Sequence, residues 1–369
     1  MQTVFTNAVL LTSEGEIHSK ALLVEDTLIA GIVGSEDIPV GATIVDCAGG
    51  YILPGLIDLQ VYGGGGFLFS EDPSTESLHQ IHTALVQGGT TRFVLTLATN
   101  SIEVFRKAIR VAKENPLPAL LGLHLEGPYL NPIRKGAHIE QYLKTATLEE
   151  VQSLLDEAEG VIKIMTLAPE LCDPKIIELL VNNGVVVSAG HSNASFEQAT
   201  AGFKNGIRAT THLFNAMSPL HHRDTGLPGA TWLSKDVMAS IIPDGIHVDF
   251  PALTISKKIM GDRLFIITDA VEENLTGAYV HIKNQDRFSL PDGTLSGSML
   301  TMIKAVNNCV DYAQIPFPEA VRMASAYPAK LMGLKDEGDI KTGYKANLVL
   351  MNNERQLKAV YLQGKRVES

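Results

Sequence analysis

The sequence predicts an α/β protein: a (β/α)8 TIM barrel carrying a small β-sandwich built from both chain ends. Three observations lead there. From Tyr51 onward, eight apolar strand-like runs alternate with amphipathic helical segments, the pattern of a parallel α/β fold. Both ends of the chain instead read as short strands and turns. The dinucleotide fingerprint of an open doubly wound sheet is missing, because Gly63-Gly64-Gly65-Gly66 is not GxGxxG and no helix start follows it closely.

In order, residues 1–50 offer strands at Val4 to Leu11, Ala21 to Glu25, Leu28 to Val33 and Thr43 to Asp46, with a turn at Glu14-Gly15-Glu16. The eight runs are Tyr51–Leu59, Thr91–Thr99, Ala119–Glu126, Val161–Ala168, Gly184–Ala189, Ala209–His212, Val237–Ile242 and Arg263–Asp269. Between them lie helical candidates at Ile102–Asn115, Leu148–Ala158, Pro174–Asn183 and Ser195–Asn205. In the first of these Ile102, Phe105, Ile109 and Ala112 share a face. Past the eighth run, Ala278–Gly293 reads as a β-hairpin insertion, followed by helices at Met299–Ala313 and Pro318–Met332. Gly338–Gly343 is a return linker, and Gly343–Val367 goes back to strands. The expected division is therefore a discontinuous β-sandwich (1–50 and 338–369) around a barrel spanning 51–337.

Composition narrows the function. A chain of 369 residues with 45% hydrophobic and 19% charged residues can bury a large core. A net charge of −11 argues against a general nucleic-acid or anionic-membrane surface, though a few local basic groups could still hold a small anion. The scattered Cys47, Cys172 and Cys309 suit a reducing compartment, and Met1 to Asn7 has no signal-peptide character. No apolar run approaches the ~20 residues of a membrane span. A cytoplasmic setting is expected.

Strand tips converge at the C-terminal face of a barrel, so residues far apart in sequence become neighbours there. Glu126 ends the third run, His191 follows the fifth, His212 ends the sixth and Asp269 ends the eighth. Alone, Glu126 could cap a loop or pair with a lysine. Together, two histidines and a carboxylate make the ligand set of a catalytic zinc site with an open water position. A further carboxylate is then free to move the water's proton. His18, His79, His82, His124 and His281 fall outside the set. His79 and His82 suit a solvated helix face, His124 lies deeper in the barrel as a core histidine, and His18 and His281 lie in β or turn regions away from the tips. The loops beyond the tips are rich in cationic and small polar groups: Arg134 to His138, Asn215 to Met217, His221 to Arg223, Asp244 to His247 and Leu295 to Ser298. Such loops suit an anionic, hydroxyl-rich ligand.

Seven stretches carry a resemblance. They are Pro54–Asp58 (PGLID), His124–Pro128 (HLEGP), Gly190–Ser192 (GHS), Thr211–Met217 (THLFNAM), Asp244–His247 (DGIH), Thr268–Ala270 (TDA) and Leu295–Ser298 (LSGS). With them the chain resembles the N-acetylglucosamine-6-phosphate deacetylase branch of the amidohydrolase superfamily, over nearly its whole length. The resemblance implies a metal-dependent hydrolase of amino-sugar catabolism that removes the acetyl group from N-acetyl-D-glucosamine 6-phosphate. It implies metal ligands at Glu126, His191 and His212, and a general acid/base at Asp269. Substrate contacts are implied at Ala137, His138, Asn215, Ala216, Arg223, Asp244, Gly245, Ile246, His247, Leu295, Ser296 and Gly297. It further implies a homodimer in which Arg223 reaches a neighbouring active site. Many amidohydrolases carry HxH at the end of the first strand; here Gln60-Val61-Tyr62 stands there, with Gln60 a vestigial second-metal position. One divalent metal per subunit is therefore expected, Zn²⁺ before Fe²⁺. The competing readings are a deacetylase for N-acetylgalactosamine 6-phosphate, another amidohydrolase, and a non-catalytic sugar-phosphate sensor.

Overall fold

The computed structural model describes residues 2–368. Eight parallel strands form one sheet in sequential order. They are numbered here β1 (Leu56–Val61), β2 (Thr90–Ala98), β3 (Leu120–Glu126), β4 (Ile162–Leu167), β5 (Val186–Ala189), β6 (Ala209–Thr210), β7 (Met238–Ile241) and β8 (Leu264–Ile266). Just beyond β8 the ring is bridged: Asp269 donates its N–H to the Gln60 carbonyl at 2.9 Å and Tyr62 donates to the Ala270 carbonyl at 3.0 Å. All eight strand-like runs thus enter one barrel. Their continuous apolar character follows from burial on both faces, with helices outside and packed side chains inside.

The helices form where the sequence supplies a cap and an apolar stripe. Ser101, Thr147 and Ser195 each accept an N–H from the first turn of Ile102–Glu114, Leu148–Ala158 and Phe196–Lys204, filling donors that have no intrahelical partner. Asp173 does the same for Pro174–Asn182. In Ile102–Glu114 the spacing of three and four puts Phe105, Ala108, Ile109 and Ala112 against the barrel, all buried. The expected long helix at Pro318–Met332 is two, Phe317–Met323 and Ala326–Leu331. Pro328 fits the first turn of a new helix but would break the interior of a continuous one.

Two further sheets face each other across a second apolar cluster that includes Phe5, Leu10, Leu22, Ile29, Ile52, Leu348 and Tyr361. One has the order Leu28–Val33, Ala21–Glu25, Gln2–Thr6, Thr43–Asp46. The other has the order Lys365–Arg366, Leu357–Leu362, Leu348–Met351, Tyr51–Pro54, Val9–Thr12, Gly15–Ile17. Tyr51–Pro54 belongs to this outer sheet, so the expected first run Tyr51–Leu59 is in fact two strands. Gly55 is the break. A side chain there would lie 2.1 Å from Thr91 Oγ1 and 2.9 Å from Asn347, because the chain turns against both on its way into the barrel.

Candidate active site

Glu126 is the last residue of β3 and is fully buried. His191, His212 and Asp269 follow β5, β6 and β8 by two or three residues, and all three adopt left-handed backbone, with φ of 46°, 32° and 54°. Side chains rarely take that conformation, and its repetition at three tips marks positions where aiming a side chain outweighs local strain. One ligand atom each from Glu126, His191 and His212 lies within 4.8 Å of the others.

The hydrogen bonds separate two kinds of histidine. A carbonyl can only accept, so His191 Nδ1, 2.9 Å from the Arg134 carbonyl, carries a proton, and Nε2 of the neutral ring is a lone pair. That lone pair faces His212 Nε2 at 3.1 Å and Glu126 Oε1 at 3.4 Å. Burial, the dominant influence, holds the His191 ring neutral down to about 4. His138 has the opposite tautomer. The Thr99 N–H donates to its Nδ1 at 3.2 Å, which leaves the proton on Nε2, pointed at Glu126 Oε2 at 3.2 Å. The His191 Nε2 lone pair is therefore free to ligate, and the His138 Nε2–H to donate.

A cation fits this cluster. Ring nitrogens of His191 and His212 and a carboxylate oxygen of Glu126 converge with no positive group between them, a donor set suited to a divalent ion. Burial pushes the Glu126 carboxyl up, but the surrounding imidazoles of His138, His191 and His212 outweigh it and hold the group well below the usual carboxylate range. Glu126 is thus an anion ready to ligate. Asp269 is raised, first by burial and then by the neighbouring Glu126 charge against the lowering influence of His212. The two carboxylates, with pKa values pushed apart, are suited to different tasks.

Gln60 and Tyr62 alternate along the end of β1 and so project to the same side. Tyr62 donates its hydroxyl to Glu126 Oε2. The Gln60 amide lies 3.0 Å from Glu126 Oε1 and 2.9 Å from Asp269 Oδ1, a neutral spacer between two acids. The pair supplies two donor groups that fix the carboxylates.

A cavity of about 320 Å³ opens over this floor. Of the residues expected to touch substrate, Ala137, His138, Asn215, Ala216, His247, Leu295, Ser296 and Gly297 line it. Asp244, Gly245, Ile246 and Arg223 do not line it. Asp244 instead accepts N–H groups from Ile246 and His247 and holds His247 Nδ1 at 2.6 Å, so it orients the histidine that reaches the cavity. Arg223 is exposed in a turn closed by His221 and Asp224. His124 stays in the barrel interior, hydrogen-bonded to Thr166 at 2.7 Å. His82 is half-buried, not solvated, and accepts the Ala119 N–H. The sequence position of His281 suggests a place away from the tips, yet it lines the cavity with Nδ1 2.8 Å from Ser296 Oγ. The reason is that the expected hairpin is a three-stranded sheet, Ile282–Asn284, Arg287–Ser289 and Leu295–Ser298, which folds back over the barrel mouth.

Residues 51–367 match the sequence profile of the amidohydrolase family. The chain is 34% identical to the N-acetylglucosamine-6-phosphate deacetylase of Haemophilus influenzae, covering 100% of both proteins. It is 33% identical to the N-acetylgalactosamine-6-phosphate deacetylase of a Shewanella species, over 85% of this chain and 82% of that one. The crystal structure of N-acetylglucosamine-6-phosphate deacetylase from Pasteurella multocida superposes with a TM-score of 0.95 at 35% identity, covering 99% of each chain.

Proposed function

The chain belongs to the amidohydrolase family, and we propose that it hydrolyses the acetamide of N-acetyl-D-glucosamine 6-phosphate to D-glucosamine 6-phosphate and acetate, a step of amino-sugar catabolism. The observation that carries this reading is the convergence of Glu126, His191 and His212 on one point, with Asp269 alongside, at the floor of the cavity.

Glu126, His191 and His212 would hold one divalent cation, and two imidazoles with one carboxylate suit Zn²⁺, with Fe²⁺ as the alternative. Bound there, such an ion supplies Lewis acidity and lowers the pKa of water from ~15.7 toward ~7. Asp269 accepts the proton from the attacking water at its carboxylate and later gives it to the leaving amine. His138 Nε2–H donates to the oxyanion that forms as water adds to the amide carbonyl. Loss of one such donor typically costs ~3–4 kcal/mol. Gln60 and Tyr62 keep the two carboxylates apart and oriented throughout. Asp244 holds His247 toward the sugar phosphate.

We assign Arg223 to the phosphate of a neighbouring subunit's site. It is exposed and does not line the cavity of its own chain, so it is free to reach a neighbouring subunit in a homodimer. No helix among the described residues is long and apolar enough to cross a membrane, and we place the enzyme in the cytoplasm, where phosphorylated sugars are available.

The test is acetate release from N-acetylglucosamine, its 6-phosphate and N-acetylgalactosamine 6-phosphate. The first phosphorylated sugar should be the best substrate. Arg223→Ala should raise KM for it by about tenfold or more, consistent with a charge-assisted hydrogen bond of ~1.5–3 kcal/mol, and leave the unphosphorylated sugar little changed. Equal effects on both sugars would mean that Arg223 does not contact the phosphate.

A further inference from the structure

The cavity has two chemically different sides. Over β3, β5, β6 and β7 its wall is polar, with His138, Asn215 and His247. Over β8, β1 and β2 it is apolar, walled by Tyr62, Leu68, Ala98, Val271 and Tyr279. These five pack together in an apolar cluster separate from the barrel core. They remain 4–8% exposed, whereas Val61 and Leu97, their neighbours in β1 and β2, are at 0%. The small residual surface faces the cavity.

This recess begins at the reacting groups. Ala98 is paired in register with Glu126, Tyr62 donates to Glu126, and Val271 lies two residues beyond Asp269. The polar atoms of its two tyrosines are used elsewhere. The Tyr62 hydroxyl is on Glu126, and the Tyr279 hydroxyl donates to the Thr99 carbonyl. Of the polar neighbours in the lining, Ser70 Oγ accepts the Ala98 N–H and His281 stacks on Tyr279 with Nδ1 on Ser296, so what the five residues of the recess offer a ligand is hydrocarbon.

We propose that this recess is the acyl pocket and that Leu68, Ala98 and Val271 set the length of N-acyl group the enzyme accepts. The inference rests on the hydrolase reading above. An amide carbonyl carbon carries its nitrogen and its acyl substituent on opposite sides. With that carbon between the Glu126 cluster and Asp269, the sugar and phosphate extend along the polar wall and the acyl carbon enters the apolar one. Each methylene buried there contributes about fourfold in binding, until the back wall stops the chain.

The experiment measures release of free amine from N-formyl, N-acetyl, N-propionyl and N-butyryl glucosamine 6-phosphate by the wild type, Leu68→Ala and Ala98→Val. Leu68→Ala, which deepens the recess, should raise the butyryl-to-acetyl ratio of kcat/KM by about fourfold or more. Ala98→Val should lower that ratio, with losses that grow along the series from formyl to butyryl. A ratio taken within one variant does not depend on the fraction of that variant that folds. If both variants change all four substrates equally, the acyl group lies elsewhere and the proposal falls. If the wild type releases amine from none of the four, the hydrolase reading itself fails, which is a separable result.

Discussion

Asp269→Asn should lower kcat by about 10²–10⁴-fold while leaving fold and metal content as in the wild type. The substitution keeps shape and one acceptor for the Gln60 amide at 2.9 Å, but removes the ability to take a proton. Backbone bonds from the Asp269 N–H to Gln60 and from the Ser298 N–H to the Asp269 carbonyl are untouched, so the barrel seam stays closed. Circular dichroism and metal analysis separate a lost proton acceptor from a lost fold. A variant with near-normal kcat would remove Asp269 from proton transfer.

Glu126→Gln should lose the cation. The carboxylate is fully buried and accepts from Tyr62 and from the Gln60 amide, with His138 and His212 Nε2 at 3.2 and 3.1 Å. A glutamine offers one carbonyl oxygen where the carboxylate offers two, and turns an amide N–H₂ toward the cation or toward the Tyr62, Gln60 and His138 donors, so it loses both charge and acceptors. After dialysis its metal content should fall to about a tenth of the wild-type value or less. A cation at about 100 times its Kd stabilises a folded protein by about 2.7 kcal/mol, so added metal should raise the wild-type Tm and leave that of the variant unmoved. Unchanged metal content would take Glu126 out of the ligand set.

The barrel was legible because its strands are buried on both faces and so read as continuous apolar runs, and because tip residues converge whatever their separation in sequence. Local punctuation was harder. Pro54-Gly55 reads as part of one strand, since Tyr51–Leu59 is apolar but for Asp58; the close approach to Thr91 and Asn347 reveals the change of sheet. Tyr62 was read by what it is not, a missing histidine, although its alternation with Gln60 placed its hydroxyl on the side of Glu126. The resemblance implies a substrate contact at Asp244, but Asp-Gly-Ile-His is also the pattern of an aspartate accepting N–H groups two and three residues on, and Asp244 does so from Ile246 and His247. His281 was missed because its place depends on a sheet folding back over the mouth, a long-range event that no local periodicity encodes.

The central claim is that one cation, held by Glu126, His191 and His212, serves acetamide hydrolysis. Metal-stripped protein titrated with Zn²⁺ and assayed for acetate release from N-acetyl-D-glucosamine 6-phosphate tests it most directly. Activity should start near zero and rise to a plateau at one equivalent per chain. Full activity without cation, or a plateau only at two equivalents, would contradict it.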